Sequence, residues 1–307
     1  MRALVIVNPY ANRWRAGRRG AACVEALRRA GLQCEVVETH GPGDALRIAA
    51  EQSAQSDVVV AVGGDGSVSE VVNGLLRASG AQATQPLGVV PVGTGNDFAC
   101  MAGLPHDPAA AAAVIASGHT RQIDVARVSY RTAGDAAMQE RFFDNNCALA
   151  MEPLVTIENT RIRRVSGNLR YVLALVRALR KLTDWHMRIE FDDGHYDGPV
   201  HLLSVCNSPR CGGLFRMAPQ ARMDDGLLDL VLAPRLSKLE IATILPRLLT
   251  GSHLRHRRLR WFRTRRLVAR CEPASPIHAD GEVLTAGAVE VAFEVLPGRL
   301  TLLVPPA

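Results

Sequence analysis

An α/β fold of two domains is predicted for the 307-residue chain, on three observations. Short valine-rich runs alternate with segments of helical period up to about residue 125. After Asp124 the alternation gives way to short β-like runs broken by Gly, Pro and Asp. Two helical stretches interrupt those runs, with no repeat and no long linker between the halves. The expected layout is a parallel-sheet α/β domain over 1–125 and an antiparallel β-sandwich-like domain with a helical insertion over 126–296. The last strand, about 297–307, is placed back in the first domain.

The strand assignments rest on the runs 3–7 (ALVIV), 34–37, 58–62 (VVVAV) and 87–90 (LGVV). Brief, β-branched and apolar on both faces, they read as strands covered on two sides. Helical period fills the segments 15–30, 43–53 and 67–79. The last puts Val68, Val71, Val72, Leu75 and Leu76 on one face. Strand–helix alternation with short connections implies a parallel sheet that binds ligands at the carboxyl ends of its strands. In the second half, 123–149, 185–206, 226–233 and 257–304 read as β. Helices are expected over 166–182, with a stripe of Leu169, Val172, Leu173, Val176, Leu179 and Leu182, and over 237–249.

Composition excludes several classes. With 48% hydrophobic and 21% charged residues the chain is a folded, soluble one. No apolar run approaches the ~20 residues that span a bilayer. The run before Pro9 is too short for a secretory segment, so a cytoplasmic location is expected. Seven scattered cysteines without a C-x-x-C pair read as reduced thiols, and Cys206 with Cys211 lacks the partners of a zinc site. Of 36 basic residues only Lys181 and Lys238 are lysine, and neither stands in a G-x-x-x-x-G-K-[ST] loop. A P-loop NTPase is excluded.

Two loops carry the chemistry of the first domain. In 58–76 a buried strand runs into Gly63, Gly64, Asp65 and Gly66, and a helix begins at about Ser67. Glycines let a ligand approach the backbone, and a helix N-terminus offers N–H groups and a positive dipole end, which suits a polyphosphate. A plain strand–helix turn is the alternative. In 87–98 the pattern repeats as LGVVPV-GTGNDF: Thr94 can donate to a phosphate, and Asn96 and Asp97 can cap a helix or join a polar network with Asp65. A third polar loop, VNPYAN at 7–12, follows the first strand. Three such loops on one rim make a nucleotide site.

GGDGS with EVVNG, then PVGTGNDFA, then Asp124 in RQIDVARV resemble the diacylglycerol kinase catalytic-domain family, which includes bacterial soluble lipid kinases and the sphingosine and ceramide kinases. GGLFRMAPQARMDDGLLDLVL at 212–232 and HADGEVL at 278–284 resemble later motifs of the same family. The resemblance implies an ATP site lined by Asn8, Asn12, Thr39, Gly63, Gly64, Asp65, Gly66, Ser67, Glu70, Gly93, Thr94 and Asn96. It implies an acidic network of Asp65, Asp97 and Asp124 around a catalytic Mg2+. A second, structural Mg2+ would be held by Asp225 with the backbone carbonyls of Arg222 and Leu227. Glu282 would be the proton acceptor, with Asp280 beside it. On the residues alone, Asp225-Gly226 and Asp280-Gly281 could equally be turn pairs. In an extended segment Asp280 and Glu282 would face one way, and like-charge repulsion would raise the pKa of one of them.

The sequence departs from the family in three places. NPYAN stands where a serine–glycine pair is usual, Ser67 replaces threonine, and NNCALAMEPLV at 145–155 lacks the usual glycine. The activity implied is ATP- and magnesium-dependent phosphorylation of a lipid hydroxyl, first of all diacylglycerol to phosphatidate, with the active site in a cleft between the domains. The alternatives are a sphingoid base or other lipid alcohol as acceptor, an NAD kinase, and a catalytically silent lipid- or nucleotide-binding regulator. Partners follow from the substrate: a lipid presented by a membrane, with a homodimer as a possibility. Arginines 255, 257, 258, 260, 263, 265, 266 and 270 around Trp261 and Phe262 suggest peripheral binding to an anionic membrane. A solvated arginine-rich hairpin is the plainer reading, and nucleic acid is not an expected partner because no recognised module contains the segment.

Overall fold

The computed structural model describes residues 1–10, 15–162 and 168–306. Asn12, and residues 166 and 167 of the helix expected over 166–182, lie outside them. In chain order the elements are β1 (Arg2–Val7), α1 (Arg15–Arg29), β2 (Gln33–Glu38), α2 (Asp44–Gln52), β3 (Val58–Gly63), α3 (Asp65–Ser79), β4 (Leu87–Pro91), α4 (Asp97–Met101) and α5 (Pro108–Ser117). There follow β5 (Thr120–Thr132), β6 (Gln139–Phe143), β7 (Asn146–Ala150), α6 (Met151–Arg161), α7 (Asn168–Arg180), β8 (Trp185–Phe191) and β9 (Gly194–Cys206). The chain ends with β10 (Leu228–Pro234), α8 (Lys238–Ile244), β11 (Arg260–Thr264), β12 (Arg266–Ala279) and β13 (Glu282–Leu303). Two compact units result. One comprises Met1–Val125, Met223–Asp225 and Leu296–Ala307; the other comprises Ala126–Arg222 and Gly226–Val295.

In the first unit β2, β1, β3 and β4 lie side by side and parallel, and Leu302 of β13 pairs with Leu87 beyond β4. Every residue of β3 and β4 is buried, as strands covered on both faces must be. The α3 stripe of Val68, Val71, Val72, Leu75 and Leu76 is buried as its period predicts. Helix α5 is an addition to the sequence reading. An alanine run has no polar face and so no period, yet its ends are well marked. Asp107 accepts the Ala110 N–H at 2.9 Å, Pro108 takes the first turn, and Gly118 closes the helix in the left-handed region.

The second unit is built on β11–β10–β9–β7–β12–β13, with β8 pairing to both β9 and β12 and β5 to β6. Strand alternation sorts its side chains onto two faces. Cys147, Leu149, Leu203, Val205 and Ile277 enter one apolar core with Phe143 and Phe293, whose rings meet edge to face at 6.2 Å. Leu202, Cys206 and Val231 enter another, with Ile241 and Ile244 of α8. Helix α6 is an addition to the sequence reading, and it packs against α7. Ala174 and Ala178 are buried against Val155 and Ile162, whereas Val176 of the expected stripe is 41% exposed. Leu173 of the stripe packs against the same cluster, and Leu179 and Leu182 are half-buried against the core that holds α8.

Candidate active site

The loops after β1, β3 and β4 meet in the first unit. Asn8 donates its backbone N–H to Val62 O at 3.0 Å and its side-chain amide to Ser67 Oγ at 2.8 Å, and its Oδ1 accepts the Tyr10 N–H. Gly64 and Gly93 touch backbone to backbone: a Cβ on Gly93 would sit 2.4 Å from Gly64 Cα. Only two glycines permit that approach. Asn96 holds a left-handed backbone (φ 53°) and staples its own loop, accepting the Gly93 N–H at 3.0 Å and donating to Gly93 O at 3.2 Å. No side chain caps α3 at Gly64, so its first turn presents N–H groups beside exposed Gly66 and Thr94. That is an anion cradle.

Thr39 and Glu70 sit differently within this unit. Thr39 is buried and its N–H donates to Val7 O at 2.9 Å. Glu70 accepts the N–H groups of Gly43 at 2.9 Å and Ala45 at 3.1 Å, so its carboxylate caps α2. Asp65 accepts the Phe98 N–H at 3.1 Å. Burial pushes its carboxyl above the usual range, and the negative charge of Asp97 adds to that shift against the bonded N–H groups. Asp97 is buried in the first turn of α4.

Asp124 is held elsewhere in the unit. Its N–H donates to Met223 O at 2.6 Å and its Oδ1 accepts the Gly298 N–H at 2.8 Å. Among the described residues no three His, Cys, Asp or Glu side chains converge to hold a metal ion. Magnesium needs no such cage, because one or two carboxylates with phosphate oxygens and waters satisfy it. The all-oxygen set of Asp65 and Asp97 fits, and a cation there would relieve the repulsion felt by Asp65. Asp225 lies half-buried in the turn before β10, where Gly226 takes φ 69°, with Arg222 exposed and Leu227 half-buried.

In the second unit Asp280 and Glu282 do not share an extended segment, which corrects the expectation. Asp280 (φ 47°) and Gly281 (φ 79°) form the two-residue turn between β12 and β13, with Ala279 paired to Glu282. Positive φ at both turn residues suits the right-handed twist of the strands. The Asp280 carboxylate faces the start of β7 and accepts the N–H groups of Asp144 (3.1 Å), Asn145 (3.0 Å) and Asn146 (3.1 Å). Its own N–H donates to Asn146 O at 2.8 Å. The charged neighbour of Glu282 is not Asp280 but Arg141, whose NH2 lies 2.7 Å from Glu282 Oε2. Sequence reasoning missed Arg141, since a pair 141 residues apart leaves no local pattern.

The aromatics of the basic segment have partners within the second unit. The Trp261 indole donates to buried Asp229 at 2.6 Å, and the Phe262 ring lies 4.8 Å from that of Phe191. Both side chains are half-buried. Arg258, Arg263, Arg266 and Arg270 are within 4 Å of Glu240, Asp229, Asp192 and the pair Glu190 and Glu290, respectively.

Comparison with known proteins fits this geometry. Residues 2–128 match the diacylglycerol kinase catalytic domain, and residues 149–304 match the YegS C-terminal NAD kinase beta sandwich-like domain. A "Probable lipid kinase YegS-like" of Stenotrophomonas maltophilia is 33% identical over 90% of this chain and 88% of its own. A diacylglycerol kinase of Bacillus subtilis is 28% identical over 92% of this chain and 89% of its own. The crystal structure of a diacylglycerol kinase from Bacillus anthracis superposes with a TM-score of 0.72 at 22% identity, covering 99% of this chain and 97% of the other. Yeast NADH kinase shares the fold at a TM-score of 0.56 and 10% identity, covering 100% of this chain and 84% of the other. The chain therefore belongs to the diacylglycerol kinase-like family of lipid kinases, phosphotransferases with an alcohol group as acceptor.

Proposed function

We propose that the protein transfers the γ-phosphoryl group of ATP to the hydroxyl of a membrane lipid, with diacylglycerol as acceptor and phosphatidate as product. The observation that carries this reading is the glycine-to-glycine contact of Gly64 with Gly93 beside the uncapped N-terminus of α3. A backbone cradle of that kind suits a polyphosphate, and a family of alcohol phosphotransferases supplies the reaction class. Backbone N–H groups of the two loops bind the phosphates, and Asp65 and Asp97 hold a magnesium ion. When bound, magnesium offsets negative charge on the phosphate oxygens. Glu282 accepts the proton of the acceptor hydroxyl as its oxygen bonds to the γ-phosphorus and the bond to ADP breaks. Arg141 keeps that carboxylate in one orientation.

Labelled ATP with magnesium and a total lipid extract, and NAD in a parallel tube, tests this. Label in phosphatidate is expected, and label in a sphingoid-base phosphate would change the acceptor. Label in NADP, or in no product at all, would overturn the reading.

Two subsidiary proposals accompany it. Asp225, with carbonyls of the same turn, binds a second cation, so Asp225→Asn should raise the magnesium requirement more than the ATP KM; unchanged magnesium dependence removes that role. The cytoplasmic protein reaches its substrate by charge, through the arginines of 251–270 and without their aromatics. Each basic group near an anionic surface is worth about 1 kcal/mol, screened by salt. Equal sedimentation with neutral and anionic vesicles would sink that idea.

A further inference from the structure

The second unit buries a carboxylate and an imidazole that the proposed reaction does not use. Glu152, in the first turn of α6, and His278, two residues before Asp280, approach at 3.4 Å between Oε1 and Nε2. Their side chains are 14% and 4% exposed. The Asn146 amide donates to the same Glu152 oxygen at 2.8 Å and lies 3.4 Å from buried Ser204 Oγ. Register explains the meeting: Ala148 of β7 stands between His278 of β12 and Ser204 of β9, so alternation brings all of them to one face. Burial alone would push the Glu152 carboxyl up, but His278 and Asn146 hold it below the usual range.

These contacts close a ring. The Asn146 backbone holds Asp280 at both its N–H and its carbonyl, and the Asn146 side chain holds Glu152. Glu152 faces His278, and His278 returns through Ala279 to Asp280. Backbone strain concentrates in the same places. Among the described residues, the non-glycine residues with positive φ are Asn96, in the nucleotide loop, and Ala150 and Asp280, on either side of this ring. Such positions cost on the order of 1–3 kcal/mol and persist only where their surroundings fix them. A buried carboxylate beside an imidazole is also poor value for stability, since apolar side chains of similar volume usually do as well or better. Its use is to fix position.

We propose that Glu152 and His278 are positioning residues: through Asn146 they hold the Asp280–Gly281 turn, and with it the Glu282 carboxylate, in the orientation that phosphoryl transfer needs. This rests on the reading of Glu282 as proton acceptor. The test uses the full chain with Glu152→Gln, His278→Leu, His278→Gln and the Glu152→Gln/His278→Leu pair, beside Glu282→Gln. Each variant is measured for kcat, ATP KM and amide hydrogen exchange at Asn145 and Asn146. Misplacement by an ångström can cost about a hundredfold. Glu152→Gln and His278→Leu should therefore lower kcat roughly tenfold to a hundredfold, leave ATP KM unchanged and speed exchange at both amides. The double variant should be no worse than the worse single, because the two act through one clamp. His278→Gln, which keeps an N–H within reach of Glu152, should recover part of the loss, and it carries the exchange test if His278→Leu does not fold.

Wild-type kcat in Glu152→Gln and His278→Leu, or additive losses with unchanged exchange, would overturn the proposal while Glu282→Gln stays inactive. Normal turnover in Glu282→Gln would instead remove the reading beneath it, and this proposal with it.

Discussion

The nucleotide loops of the first unit and the β12–β13 turn of the second are both polar corners, but they are made of different material. The first is backbone. Gly64 lies against Gly93, Asn96 bonds its own loop, and the groups offered to a ligand are N–H groups of a helix end. The second is side chain meeting distant partner. Glu282 pairs with Arg141 across 141 residues, and Asp280 reaches three N–H groups 134 to 136 residues away. A backbone site depends on which residues are absent, since any Cβ would fill it. A side-chain site depends on which residues are present and on the register that brings them together.

The largest effect should come from the side-chain site. Glu282→Gln keeps the size of the group and removes the base, which is worth roughly two to four orders of magnitude in kcat for a positioned proton acceptor. ATP KM should barely move. Near-normal turnover in a folded variant would show that the turn serves structure alone, and the contrast between the two corners would lose its functional half.

The backbone site should respond more mildly and in the opposite kinetic parameter. Gly93→Ala places a Cβ 2.4 Å from Gly64 Cα, and backbone cannot give way as a side-chain end can. Overpacking of this kind costs typically about 1–3 kcal/mol, which should appear in Tm and as a raised ATP KM. Gly41→Ala, outside both loops, is the matched control, because its Cβ would meet nothing within 4 Å. Equal ATP KM values for wild type and Gly93→Ala would show that the two loops can separate without harm to the nucleotide site.

The same contrast explains what the sequence made visible. GGDGS and GTGND are contiguous, so the loops and their neighbouring buried strands could be read directly. Asp280 and Glu282 were found as residues, but their geometry was misread. Alternation along an extended strand was assumed where two positive-φ residues turn the chain. Arg141 gave no local signal, because its partner Glu282 lies 141 residues away, and Glu152 stands out only once α6 brings it to Asn146 and His278. Helices α5 and α6 were missed for a different reason. An alanine run with no polar face has no period, and the α6 segment gathers its apolar residues on no single face. The stripe on α7 was legible at Leu173, Leu179 and Leu182, whereas the deeper burial of Ala174 and Ala178 against α6 was not, because small side chains add little to a hydrophobic pattern.

The smallest predicted effect has the opposite sign to the others, since Asp65→Asn should stabilise the fold while lowering activity. Burial first, and then the charge of Asp97, raise the Asp65 carboxyl in the folded protein. A carboxyl raised on folding contributes stability that is present below its unfolded value and is lost as pH rises through its folded value. At neutral pH, above that window, the ionised Asp65 is therefore a cost that Asn does not carry. Asn retains an Oδ1 for the Phe98 N–H, so the loop keeps the bond that now measures 3.1 Å. The gain should be on the order of 1 kcal/mol, or a few degrees in Tm, and should shrink as pH falls through the carboxylate range. Magnesium-dependent turnover should fall at the same time, because the removed charge is one that the proposed cation would use. Thermal melts of both proteins from about pH 7 down to about pH 4, the ordinary carboxylate range, decide the matter. An Asn variant less stable than wild type at neutral pH, or a gain that does not shrink with acid, would mean that Asp65 serves the fold rather than the ligand.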